Sequence, residues 1–287
     1  MKRVPQTGGR IVLTADGQDI DTRYLGFTIS PHEECGVEEA VRIVEAQGGS
    51  SAVLTLGPVA AEDQLRDAMA LGIERAILLE TDGSEWDPVS TAAAIVEAVR
   101  AQEAANGPFD LLLFGNESAD SGGFQVGIRV AVALGRPVVN GIKGLAFRDG
   151  TTIARREAPG GGVETYELPL PAVIGVKEGI NLPRYPSVPG RLRARRKEIV
   201  RVAVGAAATW AAGAGAAPAG AGTEPAAGAG SVPRGAGTEP VAPRSGPTKV
   251  DLRLPTEERT AAEVIGRGPE AAPAVVDLLE RIGVVAR

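Results

Sequence analysis

Cysteine and histidine are almost absent from this sequence. The one cysteine, Cys35, excludes an intrachain disulfide framework and fits a reducing compartment. The one histidine, His32, excludes His-based catalytic triads and multi-histidine metal sites. Aromatic residues make up 3% of the chain, too few to build a stacking platform for nucleic-acid bases. No run approaches the roughly 20 apolar residues that cross a bilayer, so membrane insertion is not expected. The opening Met1-Lys2-Arg3-Val4-Pro5 carries charge with no apolar segment behind it, so no secretory signal is read and a cytoplasmic location is expected. A GxxxxGKS/T phosphate loop is missing as well, and the glycines around 213–222 lie in a low-complexity stretch that carries no weight.

What the chain does have is aliphatic bulk. Of its 287 residues 44% are hydrophobic, chiefly Ala, Val, Leu and Ile, the mix of helices packed on a buried parallel sheet. The net charge of −6 argues against nucleic acid as a partner.

Residues 1–200 carry the pattern of a folded domain. Residues 201–249 collapse to Ala, Gly and Pro, with Gly-Ala-Gly-Thr-Glu-Pro at 220–225 and again at 235–240. Too few large apolar side chains are present there to offset the ordering entropy, so a flexible, disordered linker is expected. Residues 250–287 form a C-terminal arm with one short amphipathic helix over 274–283. In the folded part, strand and helix patterns alternate. A helix over 36–47 places Val37, Ala40, Val41 and Val44 on one face, with Glu33 and Glu34 as acidic residues before it. Apolar runs at 52–56, 76–79 and 110–114 read as buried strands. Between them lie one helix burying Leu65, Ala68 and Met69 and another, capped by Asp87, burying Val89, Ala92, Ala93, Val96 and Val99. From about Gly144 the order changes: Arg148-Asp149-Gly150 reads as a turn, followed by strands at 163–168 and 171–176, with Gly160–Gly162 as a second turn. The expected fold is α/β: an open, mostly parallel sheet flanked by helices, with a late β-hairpin region.

Two segments could carry chemistry. The loop Gly115-Asn-Glu-Ser-Ala-Asp-Ser-Gly-Gly-Phe-Gln-Val-Gly127 follows a strand and runs into a helix, where open α/β sheets bind ligands. Ser118 and Ser121 offer hydroxyls, and Gly122 and Gly123 let backbone amides approach a phosphate at the helix start; an ordinary βα turn has the same composition. The second segment is Asn181-Leu-Pro-Arg-Tyr-Pro-Ser-Val-Pro-Gly190, where three prolines stiffen a loop that presents Tyr185 and Val188. Five of the next seven residues, 191–197, are basic. An apolar anchor with a positive rim suits an acidic partner, while a solvated basic helix start is the plainer reading. Cys35 reads as a small buried apolar group.

At these two loops the chain resembles the beta subunits of electron-transfer flavoproteins, including the nitrogen-fixation-associated kind. Gly115-Asn-Glu-Ser-Ala-Asp120 is similar to their nucleotide-binding loop, and Asn181-Leu-Pro-Arg-Tyr-Pro-Ser187 to their N-E-P-R-Y/F recognition loop, with Leu182 where Glu is usual. Lys2-Arg3-Val4-Pro5, Ser30-Pro31-His32-Glu33 through Ala40, and Gln64 through Gly72 match further family motifs in order, over residues 1 to about 200.

The resemblance implies an adenine-nucleotide alpha-hydrolase-like fold and an electron-carrier subunit rather than an enzyme. It implies an obligate heterodimer with an alpha subunit, which binds most of the redox-active FAD. The beta subunit holds AMP, or a second FAD in electron-bifurcating relatives. Dehydrogenases are the partners, together with a quinone-linked reductase. Carried over by position, the nucleotide site comprises Ser30, Pro31, His32, Glu33, Thr55, Gly57, Gly115, Asn116, Ser118, Asp120, Ser121, Gly122, Gly123, Gln125 and Gly127. His32 would lie near the nucleotide phosphates or play a structural polar role. Docking to a dehydrogenase falls to Val188, supported by Tyr185 and Arg193, and Glu157 aligns with a glutamate near the alpha subunit's flavin domain. The chain departs from the family in having Ser30 for Asn, a smaller Val188 for Leu, and a longer linker before an arm that wraps the partner in relatives. It opens where the family's first strand ends, which reads as a start placed too far downstream. The alternative is a stand-alone adenine-nucleotide-binding module of the stress-protein type, which explains the 115–127 loop but not the proline-rich loop.

Overall fold

A computed structural model of the chain describes residues 1–6, 8, 11–204, 253–254 and 264–284. The linker expected at 201–249, with both hexapeptides, lies outside the described residues from 205 onward. In chain order the elements are β1 (Val4–Pro5), β2 (Phe27–Thr28), α1 (Pro31–Gln47), β3 (Ala52–Gly57), α2 (Glu62–Leu71) and β4 (Arg75–Glu80). Then come α3 (Pro88–Asn106), β5 (Leu111–Gly115), α4 (Val126–Leu134), β6 (Val138–Arg148), β7 (Thr151–Glu157) and β8 (Val163–Pro169). The series ends with β9 (Ala172–Val176), α5 (Val188–Arg196), β10 (Ile199–Ala203) and α6 (Ala272–Arg281). The chain divides into two units, Met1–Val12 with Asp21–Lys249, and Leu13–Ile20 with Val250–Arg287.

The first unit is an α/β layer with a mostly parallel open sheet flanked by helices. Its parallel strands run in the orders β10-β4-β3 and β5-β9-β6, and the second sheet continues antiparallel through β7 and β8. Ala76 to Leu79 of β4 and all of β9 are buried, as strands covered on both faces must be. One helix on each face ties the two sheets together. Val37 and Val41 of α1 pack with Val53 and Ala76, while Cys35 of the same helix packs with Ile174 and Val176. Ala94 and Ala98 of α3 meet Ile77 and Leu79, whereas Ala92 and Val96 meet Leu112, Phe114 and Val130. Side chains such as Leu65, Leu78 and Ile174 are fully buried, each worth roughly 1.5–3 kcal/mol of hydrophobic stabilisation. On the β3 edge the Met1 ammonium donates to the Leu54 carbonyl at 2.8 Å, and β5 is only half-buried along its whole length.

Several expectations change in detail. Helix α1 starts at Pro31 rather than at residue 36: proline suits the first helical position, Ser30 is the N-cap, and Glu33 and Glu34 fall inside the first turn. In α3, capped by Asp87 through Val89 and Ser90, Val89 and Ala93 are exposed and Ala94 and Ala98 are buried instead. The reason is that α3 serves two sheets and a second helix, so its buried stripe is wider and turned from the single expected face. β10 was not expected at all, and β9 does not simply continue a hairpin but inserts between β5 and β6. The turns at Asp149-Gly150 and Gly160-Gly161 are present, with positive φ at all four residues.

In the second unit, Leu13 and Ile20 form a β-bridge around a turn in which Thr14 Oγ1 donates to Asp16 Oδ1 at 2.5 Å. Helix α6 carries Pro273 in its first turn, and Gly283 beyond its end has φ 76°.

Candidate functional site

The site is assembled from the start of α1 and the loop between β5 and α4. An open depression of about 410 Å³ is lined by Ser30, Pro31, His32, Glu117, Ser118, Ala119, Asp120, Ser121 and Gly122. It lies where β5 ends, and the Asn116 N–H there bonds the Val176 carbonyl of β9 at 2.8 Å. Glu33 anchors the floor. Its carboxylate accepts from the Lys2 N–H at 2.6 Å, and from the N–H and hydroxyl of Ser30 at 3.3 and 3.1 Å. Gly115 is required beneath it, because a Cβ there would run into Glu33 Cγ.

Polar groups converge around the rim. Ser30 Oγ also reaches the Glu117 carbonyl at 3.2 Å, and the hydroxyls of Ser118 and Ser121 are 2.8 Å apart. The Lys2 ammonium pairs with Asp120 at 2.6 Å and donates to Ser121 Oγ at 3.3 Å. Burial pushes the Asp120 carboxyl up, but hydrogen bonds from Lys2 and Ser118 and the lysine charge hold it below its ordinary range. His32 accepts the Glu178 N–H at Nδ1 (2.8 Å) and faces Glu117 Oε1 through Nε2 (3.2 Å). An acceptor Nδ1 places the ring proton of the neutral form on Nε2, the nitrogen that faces Glu117.

The loop closes with Gly122 and Phe124 at φ 54° and enters α4 through Gln125, whose side chain makes no cap bond to the first-turn N–H groups. The Ser30, Ser118 and Ser121 hydroxyls of the lining, with the Lys2 ammonium bonded to Ser121, are donors that a phosphate takes, so the residues present fit a nucleotide. Among the described residues no cluster of three or more His, Cys, Asp or Glu is arranged to hold a metal, and no helix is long and apolar enough to cross a membrane.

Of the residues expected at the nucleotide site, Ser30, Pro31, His32, Ser118, Asp120, Ser121 and Gly122 line the depression. Glu33, Gly115, Asn116, Gly123 and Gln125 belong to the elements that frame it. Gly127 lets α4 approach β5, since a Cβ would come within 3.0 Å of the Phe114 ring. Thr55 and Gly57 lie on β3 and do not line it; Thr55 is 1% exposed and its hydroxyl has no hydrogen-bond partner among the described residues. Lys2 and Glu178 were not picked out as site residues, and Glu117 only as part of the 115–127 loop. Lys2 is 119 residues from Ser121, and no local pattern announces such a pairing.

The second expected segment is pinned to α1. Asn181 Nδ2 donates to the Cys35 carbonyl at 3.0 Å and to Glu39 at 2.9 Å. Arg184 grips Glu38 through Nε and Nη2 at 2.9 Å each and Glu45 through Nη1 at 2.6 Å. Glu45 and then Glu38 thereby hold the guanidinium protonated beyond its ordinary range. Tyr185, Val188 and Arg193 are exposed. Glu157 ends β7 and pairs with Lys143 at 2.9 Å, which lowers its carboxyl below the usual range.

Comparison with known proteins agrees with this geometry. Residues 19–207 match the model of the electron transfer flavoprotein domain. The chain is 35% identical over 202 residues to the electron transfer flavoprotein subunit beta of Bacillus subtilis, covering 69% of this chain and 75% of that one. It is 34% identical to the subunit beta of Mycobacterium bovis over 205 residues, covering 69% and 75% of the two chains. It is 34% identical over 208 residues to that of Syntrophomonas wolfei, covering 72% and 79%. The fold, the loop at the end of β5 and these likenesses together place the chain in the electron transfer flavoprotein family, among its beta subunits.

Proposed function

We propose that this chain is the nucleotide-holding subunit of a heterodimeric electron carrier and has no catalytic centre of its own. An alpha subunit would bind the redox-active FAD, and the depression at the start of α1 would hold AMP or a second FAD. The observation that carries this reading is the convergence of Ser118, Ser121 and Lys2 on the loop at the carboxyl end of a parallel strand. Ser118, Ser121 and Lys2 would take the phosphate, and His32, held by Glu178 and Glu117, would shape the wall beside it. When bound, the flavin supplies the electron chemistry; this chain binds, orients and docks. Residues 181–197 would meet flavin-dependent dehydrogenases, with Val188, Tyr185 and Arg193 at the contact, and a quinone-linked reductase would receive the electrons. Glu157 would face the alpha subunit, with residues 1–200 as the core and 250–287 as the arm that embraces the partner.

Co-expression with an alpha subunit, purification, and counting of the released nucleotides test this reading. One FAD and one AMP per heterodimer are expected for a conventional carrier, and two FAD for a bifurcating one. A chain that binds AMP alone and ignores the alpha subunit would be a stand-alone nucleotide module. A complex that forms with no nucleotide at this site would overturn the assignment of the depression.

A further inference from the structure

The loop after β9 has a three-residue period. Leu182-Pro-Arg184, Tyr185-Pro-Ser187 and Val188-Pro-Gly190 repeat the order apolar, proline, small or polar. Prolines favour the polyproline II backbone, which has three residues per turn, and Ser187 sits there at φ −70°, ψ 156°. In that geometry every third residue shares a face, about 9 Å from the next, a spacing that suits Leu182 and Tyr185, and Val188 follows as the first residue of α5.

The apolar position of each triplet is exposed. Leu182 is 90% exposed, Tyr185 96% and Val188 72%. The third position of each triplet is tied down by bonding or packing. Arg184 binds Glu38 and Glu45, the Ser187 hydroxyl accepts the Gly190 N–H at 3.2 Å, and Gly190 is buried where a Cβ would run into the Ala70 carbonyl. The Glu38 carboxylate is 4% exposed and receives three bonds from the Arg184 side chain and one from its backbone N–H. Three apolar side chains are thus held outward in water by a loop whose other faces are proline or tied down.

Beyond the ridge, Arg193, Arg195 and Arg196 are exposed and make no ion pair among the described residues, whereas Arg191 pairs with Asp67 and Lys197 with the Ile73 and Glu74 carbonyls. Preorganised apolar anchors beside a positive rim fit a partner surface with an apolar groove edged by carboxylates.

We propose that Leu182, Tyr185 and Val188 form one docking ridge for the dehydrogenase partner, and that Arg184 is the positioning residue that presets it. This rests on the carrier function proposed above. It adds Leu182 as an anchor equal to Val188 and gives Arg184 a role that involves no contact with the partner.

The test uses the flavin-loaded heterodimer and a flavin-dependent dehydrogenase that reduces the unmodified complex. Leu182→Glu and Tyr185→Ala should each raise the KM for the carrier about tenfold, with kcat at saturation and reduction by dithionite unchanged. Arg184→Gln should do the same and also speed amide hydrogen exchange at 182–188, with Arg184→Lys partly restoring both. Should Arg184→Gln fold poorly because Glu38 is left unpaired, Glu45→Gln removes only the outer grip and should give the same change to a lesser degree.

A wild-type KM for Leu182→Glu overturns the ridge, as does its loss of the alpha subunit, or a self-association of heterodimers that the substitution abolishes. Unchanged exchange in both Arg184→Gln and Glu45→Gln overturns the positioning role. If no dehydrogenase reduces the unmodified heterodimer, the carrier reading fails and the ridge with it, whereas the exchange measurement still decides the clamp.

Discussion

Glu33 connects three parts of the chain through one carboxylate: the N-terminal segment at Lys2, the start of α1 at Ser30, and the end of β5 beneath it at Gly115. Replacing it with Ala leaves the Lys2 and Ser30 N–H groups without their partner and should cost about 1–2 kcal/mol in urea denaturation. Gly115→Ala pushes against the same side chain, so it should cost less in the Glu33→Ala background than alone; strict additivity of the two would contradict the contact. Asp120 adds a pH dependence of defined sign. Its folded-state value is depressed, so its contribution is present above the ordinary carboxylate range and is lost as pH falls through the lowered value. Asp120→Asn should therefore flatten the acid side of the stability profile, and an unchanged profile would mean that the Lys2 pair contributes nothing.

At the scale of elements, α3 shows why a stripe read from one face falls short. Its Asp87 cap is a local signal, and the structure has it where the sequence puts it. Its burial is set by three neighbours at once, so Ala94 and Ala98 are buried while Ala93 faces water. Ala98→Leu should destabilise by about 1–3 kcal/mol through overpacking. Ala93→Leu should stay within about 0.5 kcal/mol, as surface changes do. Equal effects at the two positions in thermal unfolding would refute this packing. α1 was legible in the same partial way. Its apolar spacing gave the face buried by Val37 and Val41, but its start was missed because Pro31 and the two glutamates read as lead-in rather than first turn.

At the scale of the molecule, the nucleotide would be part of the fold's stability, since the depression joins the first residues of the chain, α1 and the β5–α4 loop. For the purified heterodimer stripped of nucleotide, AMP at about 100 times its Kd should add about 2.7 kcal/mol of stability. This is read as an upward shift of the melting temperature. No shift at any AMP concentration, with FAD ineffective at this site as well, would separate the depression from nucleotide binding.

The sequence by itself determined what depends on neighbours a few residues apart. Strand and helix alternation, helix stops at glycine, the turn at Asp149-Gly150, the serine-bearing loop after β5 and the proline-stiffened segment after β9 all follow from local sterics and periodicity. Only the tertiary structure decided that β9 slides between β5 and β6, that β10 lies beside β4, and that Lys2 closes on Asp120 while Arg184 closes on Glu38. Arg184 and Glu38 are 146 residues apart in the chain. Their attraction has no expression in either local segment, and it arises once α1 and β9 pack about the shared core of Cys35, Ile174 and Val176.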